Sequence, residues 1–160
     1  MNKVLFLDRD GVINHDPGDY TYSLEEFHIL PTVIEGLKLA QDKGYKIILI
    51  TNQGGIAKGL YEESEVHRIH DFFKSECEKS GVHITDIFFS PYHGELSNSL
   101  SRKPESLMME RAIHRHKINV ESSVMIGDRD RDIECAAKVG VKGIKIPTNS
   151  ALMDYIRGLE

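Results

Sequence analysis

The sequence predicts an α/β fold, a Rossmann-like parallel sheet with helices on both faces. Three observations predict it. Strand-like apolar runs lie near residues 3–8, 45–51, 86–90, 123–128 and 143–147. Helix-like segments fill the intervals, which is the alternation of a parallel sheet wrapped by its crossover helices. Three of the runs end abruptly in polar clusters: Asp8-Arg9-Asp10-Gly11, Thr51-Asn52-Gln53-Gly54-Gly55 and Gly127-Asp128-Arg129-Asp130-Arg131-Asp132. Open α/β sheets hold ligands outside the carboxyl ends of their strands. At 160 residues the chain is expected to form a single domain over 1–160, with a core large enough to need no staples.

Each element follows from its residues. Val4 to Leu7 is continuously apolar, as a central strand buried on both faces requires. Residues 14–30 are polar and rich in turn formers (His15, Asp16, Pro17, Gly18, Asp19) and predict loop. Thr32 and Glu35 predict a capping box for the first helix, Gly44 its stop, and Val33, Leu37 and Ala40 its apolar stripe. A second helix over 62–79 places Val66, Ile69, Phe73 and Cys77 on one face and ends at Gly81. Pro104, just after Arg102-Lys103, is expected in the first turn of the third helix. A fourth helix runs from about Arg131 to Lys138, with Ala136 and Ala137 packing and Gly140 beyond, and a short one covers about 150–158.

Residues i and i+2 of a strand project from one side, so Asp8 and Asp10 are expected to face one crevice. Two carboxylates there repel unless a cation or a proton intervenes. Oxygen ligands favour a hard divalent ion, most simply Mg2+. Asp128 and Asp132 also suit the first turn of a helix, where acids favour the dipole.

Composition excludes several classes. A net charge of −5 argues against a nucleic-acid partner. No stretch approaches the roughly 20 apolar residues of a membrane span, and the apolar start is cut short by Asp8, unlike a secretory signal. Cys77 and Cys135 lie far apart in helix-like segments and read as reduced thiols, hence a cytoplasmic protein. His67 and His70 stand at helical spacing without an accompanying ligand set. A monomer or small homo-oligomer is expected.

Four clusters in order, Asp8-x-Asp10-Gly11, Thr51, Lys103 and Gly127-Asp128-x-x-x-Asp132, resemble the phosphatases of the haloacid dehalogenase superfamily. The strings Asp8 to Asn14 and Thr51 to Gly59 are similar to the heptose-1,7-bisphosphate and histidinol-phosphate phosphatases within it. The likeness runs from about Lys3 to Pro147. It implies a fold of haloacid dehalogenase type without a large cap domain, since the chain has room only for a small flap over 14–30. It implies that Asp8 attacks phosphorus to give an aspartyl-phosphate. Asp10 then protonates the leaving oxygen and activates water, its side chain left free for that work. Asp8, Asp128 and the backbone carbonyl of Asp10 would hold Mg2+. Thr51 and the amide of Asn52 would bind phosphate oxygens, Lys103 would neutralise charge, and Asp132 could orient Lys103 or support the metal shell. Arg102 and Arg129 resemble substrate-contacting positions.

The chain departs from those relatives at 90–101. They commonly carry a zinc loop there, but here only His93 remains as a strong ligand and no cysteine is present, so no structural zinc is expected. The expected substrate is a small phosphorylated sugar, most simply D-glycero-D-manno-heptose 1,7-bisphosphate, with histidinol phosphate as the alternative. A non-enzymatic phospho-receiver domain shares the Mg2+, Asp, Thr and Lys chemistry. It needs an acceptor aspartate after the third strand, where this chain has Ser90-Pro91.

Overall fold

The computed structural model describes residues 1–160. Strands β1 (Val4–Leu7), β2 (Lys46–Asn52), β3 (Ile84–Ser90), β4 (Val124–Gly127) and β5 (Lys142–Lys145) form one parallel sheet in the order β3-β2-β1-β4-β5. Between and after them come α1 (Val33–Asp42), α2 (Glu63–Lys79), α3 (Leu107–His116), α4 (Asp130–Lys138) and α5 (Leu152–Ile156). The predicted alternation is therefore the observed one, with ends shifted by a few residues.

β1 sits at the centre, and none of its four residues is exposed. Its side chains alternate between two cores. Leu5 and Leu7 pack with Val33, Leu37 and Ala40 of α1, Ile69, Phe73 and Cys77 of α2, and Ile156 of α5. Val4 and Phe6 pack with Met108, Met109 and Ala112 of α3 and Cys135 and Ala136 of α4. Helices thus cover both faces, and a polar residue in β1 would be stranded on either. The strand order reverses between β1 and β4, so Asp8 and Asp128 leave the sheet on either side of the switch point. The segments 8–32 and 91–106 contain no helix or extended strand. The first is a flap anchored at its base by His15 N–H to His28 O and Leu30 N–H to Ile13 O, both 2.9 Å.

Two expectations fail. Thr32 does not cap α1: it is left-handed (φ 63°), and its hydroxyl makes no capping bond. A turn closed by Val33 N–H to Leu30 O (3.3 Å) brings the chain in from the flap and sets Thr32 in that conformation. Nor does Pro104 open α3, which starts three residues later behind Ser106. Asn52 holds the Lys103 backbone on both sides, its Oδ1 accepting Lys103 N–H (2.9 Å) and its Nδ2 donating to Lys103 O (3.1 Å). A peptide gripped by a side chain from β2 cannot also enter a helix.

Phe73 joins α2 to the sheet and to the flap, where Phe27 meets it edge-on at 6.3 Å. Phe73→Ala should cost about 3–5 kcal/mol of stability, measured by urea unfolding. A loss below about 1 kcal/mol would mean that α2 is not docked as described.

Candidate active site

Lys103 is 1 % exposed, and its ammonium has three partners. Nζ lies 2.9 Å from Asp8 Oδ1, 2.6 Å from Asp132 Oδ1 and 2.7 Å from the Ile50 carbonyl. The contacts to Asp8 and Ile50 are hydrogen bonds, and that to Asp132 is an ion pair. Burial works against the charge, but Asp8 and Asp132 outweigh it and hold the Lys103 pKa above the ordinary lysine value. Asp132 turns back to the end of β4, where its Oδ2 also accepts the N–H of Arg129 at 3.0 Å. That turn needs glycine at 127, since a Cβ there would lie 2.3 Å from Asp132 Cβ. Of the two roles expected for Asp132, the geometry shows the orienting of Lys103.

Oxygens of Asp8, Asp128 and Asp132 all lie within 4.8 Å of one another. With both Asp132 oxygens engaged, Asp8 and Asp128 are left to meet a cation. Asp128 Oδ2 accepts from Thr148 Oγ1 at 2.8 Å, while the buried Oδ1 has no partner. An orphaned carboxylate oxygen beside a second buried carboxylate suits a hard divalent ion. Burial pushes the Asp8 carboxyl up to about 7, the Asp132 anion adding and Lys103 opposing. A cation would reverse that shift. Gly11 (φ +84°) lets the β1 loop pass, since a Cβ would lie 2.4 Å from Asp128 Oδ2.

Asp10 corrects the expectation of a free side chain. Its Oδ1 accepts from Arg9 Nη2 (2.8 Å), Arg9 Nε (3.3 Å) and Asn14 Nδ2 (3.0 Å), and its Oδ2 from Gln53 Nε2 (3.0 Å). Burial favours the neutral acid, but the Arg9 charge and these hydrogen bonds outweigh it and hold Asp10 below the usual carboxylate range. Asp10 therefore does not share a cation through its carboxylate. Arg9, 1 % exposed, neutralises it and also reaches the flap at the Thr21 carbonyl (2.9 Å). The ring of His70 stands 3.5 Å from Arg9. Burial, then Arg9, lowers the His70 pKa to about 3, so the ring is neutral and adds no repulsion.

A cleft of about 320 Å³ opens at this end of the sheet, lined by Asp10, Asn52, Gln53, Arg102, Arg129 and Arg131 among others. Asp8, Thr51, Lys103 and Asp128 are buried behind it, each 5 % exposed or less. The Thr51 hydroxyl accepts from Gln53 Nε2 at 3.0 Å. Arg129 pairs with Asp16 of the flap (3.3 Å) and Asp128 (3.5 Å). Arg102 donates to the Tyr92 carbonyl at 2.9 Å, and the buried Nε of Arg131 has no partner. Neither has a carboxylate within ion-pair distance. The structure places Asp8, Asp10, Thr51, Asn52, Arg102, Lys103, Asp128 and Arg129, all named from the sequence, at this end of the sheet, together with Arg9, Gln53, Thr148 and Arg131, which the sequence reading did not single out. Three of these lie inside the motif strings and carried a signal. Thr148 lies in a plain turn and carried none.

A carboxylate held by a buried lysine, beside a cation-ready carboxylate and below an arginine-lined cleft, defines a phosphoryl-transfer hydrolase on a doubly wound sheet. Comparison with known proteins agrees. Residues 100–156 match the HAD-hydrolase-like family model. The D-glycero-alpha-D-manno-heptose-1,7-bisphosphate 7-phosphatase of Photorhabdus laumondii is 40 % identical over 145 residues, covering 87 % of this chain and 79 % of the relative. The D-glycero-beta-D-manno-heptose-1,7-bisphosphate 7-phosphatase of Haemophilus influenzae is 33 % identical over 147 residues, covering 89 % of this chain and 79 % of the relative. The B. bronchiseptica D,D-heptose 1,7-bisphosphate phosphatase, solved with magnesium and phosphate, superposes with a TM-score of 0.86 at 27 % identity, covering 99 % of this chain and 88 % of that one. The chain belongs to the haloacid dehalogenase-like hydrolases, in the family of the heptose-bisphosphate phosphatases, and is a phosphatase rather than a phospho-receiver.

Removing Lys103 tests the charge balance. In Lys103→Met the buried carboxylates lose their counter-ion, which should cost about 3–5 kcal/mol without divalent ions. A buried carboxyl whose folded pKa exceeds its unfolded value binds its proton more tightly when folded, so its cost grows as pH rises. Asp8 already moves from 3.8 to about 7 with Lys103 present. Urea unfolding should therefore show a larger loss at pH 8 than at pH 5. Equal losses would contradict the ion-pair account.

Proposed function

We propose that the chain hydrolyses a small sugar bisphosphate, D-glycero-D-manno-heptose 1,7-bisphosphate, through a phospho-Asp8 intermediate with Mg2+ as cofactor. The observation that carries the reading is Lys103 bridging Asp8 and Asp132 beside the orphaned Asp128 oxygen. The relatives' names supply the substrate. Asp8 attacks phosphorus and the ester P–O bond breaks. Asp10 gives its proton to the leaving oxygen, then takes one from the water that hydrolyses the acyl phosphate. Its ionised resting state suits the second task, and the charge of an arriving phosphate favours the protonated form that the first requires. Asp8, Asp128 and the Asp10 carbonyl would hold Mg2+, which when bound offsets the repulsion between an anionic nucleophile and an anionic ester. Lys103 neutralises charge on Asp8 and the transferring group. The Thr51 hydroxyl and the Asn52 amide bind phosphoryl oxygens, while the Asn52 side chain positions Lys103.

Arg102 and Arg131 are assigned to the second phosphate, because an arginine without a carboxylate partner is free to take a phosphate with its fork. Arg129, engaged by Asp16 and Asp128, is assigned instead to seating the flap. The chain acts as one domain over 1–160, without structural zinc: Cys77 and Cys135 lie buried in opposite cores, apart from His93 in the cleft. Two buried free thiols suit a reducing cytoplasm, and no helix is long and apolar enough to cross a membrane.

Phosphate release assayed over both heptose anomers, histidinol phosphate and nucleotides should be greatest with a heptose bisphosphate and require Mg2+. Asp8→Asn should abolish it with an unchanged circular dichroism spectrum; full activity in that variant or in chelator would refute the mechanism. Losing one charge-assisted contact of about 1.5–3 kcal/mol predicts that Arg102→Ala and Arg131→Ala each lower kcat/KM for the bisphosphate roughly 10- to 100-fold. For a heptose monophosphate the loss should stay within about threefold. Equal losses on both would remove the second-phosphate assignment.

A further inference from the structure

Gln53 and Tyr61 lie 2 % and 5 % exposed in a hydrogen-bonded line that ends on Asp10. Gln53 Nε2 donates to Asp10 Oδ2 and to Thr51 Oγ1, each at 3.0 Å, and Gln53 Oε1 accepts the Tyr61 hydroxyl at 2.9 Å. The amide has one possible orientation. A carboxylate only accepts, so the NH2 end must face Asp10 and the carbonyl end must face Tyr61. The Tyr61 hydroxyl is therefore the donor.

The two Asp10 oxygens are not equivalent. Oδ1 carries two hydrogen bonds from Arg9 and one from Asn14, whereas Oδ2 has Gln53 alone. Oδ2 is thus the oxygen able to carry a transferred proton, and Gln53 sets its direction. Tyr61 in turn is fixed from two sides. Its ring lies against Gly55, where a Cβ would come within 2.0 Å of a ring carbon. On the flap side Tyr22 stacks on it (5.2 Å, 11°) and Tyr20 meets its edge (5.9 Å, 60°).

We infer that Gln53 and Tyr61 are positioning residues for proton transfer, through which the seated flap holds Asp10 Oδ2 against the leaving oxygen. The inference rests on Asp10 acting as the acid proposed above. It gives the Tyr20/Tyr22 face of the flap a task besides covering the cleft: proton delivery is poised only when the flap is packed on Tyr61.

The test compares two esters through kcat/KM, which reports the step that releases the leaving group. A sugar phosphate leaves as an alkoxide and needs the proton; p-nitrophenyl phosphate leaves as a phenolate stable without one. The sugar ester is heptose bisphosphate, or the best sugar phosphate in the wild-type screen. Tyr61→Phe keeps the ring and its packing and removes only the hydroxyl; Gln53→Met keeps the length and removes both polar ends. General acid catalysis contributes about 10²–10⁴, and these variants should forfeit part of it. Each should lose about tenfold or more on the sugar phosphate and less than about threefold on p-nitrophenyl phosphate. Tyr22→Ala should show the same selectivity at smaller size. Equal losses on both esters, or none, in Tyr61→Phe and Gln53→Met would overturn the inference. An ester-blind Tyr22→Ala would overturn its coupling to the flap. Asp10→Asn separates the underlying reading: if that variant is itself ester-blind, Asp10 is not the acid, and the positioning role falls with it.

Discussion

The Lys103 ammonium lies where the ends of β1, β2 and α4 meet, and it touches a group from each: Asp8, the Ile50 carbonyl and Asp132. A lysine buried to this depth stays charged only if its partners are charged and its donors are satisfied. Both conditions hold, and they constrain the neighbours as much as the lysine. Lys103 opposes the rise that burial and Asp132 impose on the Asp8 pKa. Asp132 must fold back over Gly127 to reach its place. The Lys103 backbone must be gripped by Asn52, which is why α3 starts late. Three carboxylates (Asp8, Asp128, Asp132) converge on this point, and a divalent cation is suited to offset their mutual repulsion.

A second buried cation, Arg9, ties Asp10 to the flap. Arg9 holds Asp10 and the flap carbonyl of Thr21 at once, and its guanidinium lies 5.7 Å from the Phe27 ring. The proton-transfer group and the cover of the cleft therefore share one anchor, with the Gln53–Tyr61 line as a second connection between them. Lys103 holds Asp8, while Arg9 and Gln53 hold Asp10. Two carboxylates only two residues apart acquire opposite environments: Asp8 is dry and raised towards about 7, while Asp10 is lowered. Such a division lets one strand end serve as both nucleophile and proton carrier.

The fold was legible because a buried parallel sheet writes itself as short apolar runs ended by polar turns, and β1, β2 and β4 obey that pattern. The buried polar residues Asp8, Thr51 and Asp128 were legible for the same reason, since they sit at those ends. Thr32 and Pro104 misled because capping and first-turn preferences are local, and at both places a tertiary contact took precedence: the flap base at Leu30 and the Asn52 grip on Lys103. Asp10 misled more instructively. Strand alternation put it beside Asp8, but nothing local shows that an arginine within a motif, here Arg9, will be fully buried against it. Arg131 was invisible for the converse reason. Which arginine of Arg102, Arg129 and Arg131 lacks a carboxylate depends on where the flap brings Asp16.

The account turns on a covalent bond between phosphorus and Asp8. The most direct measurement is acid-quench trapping in the presence of Mg2+, using Asp10→Asn with p-nitrophenyl phosphate, whose leaving group needs no proton, so that the intermediate forms and accumulates, followed by borohydride reduction and mass spectrometry of the peptides. The account predicts that reduction of the acyl phosphate converts Asp8, and no other aspartate, to homoserine. Turnover of the wild type with no trapped acyl phosphate in the variant, or a label on Asp128 or Asp132, would contradict it.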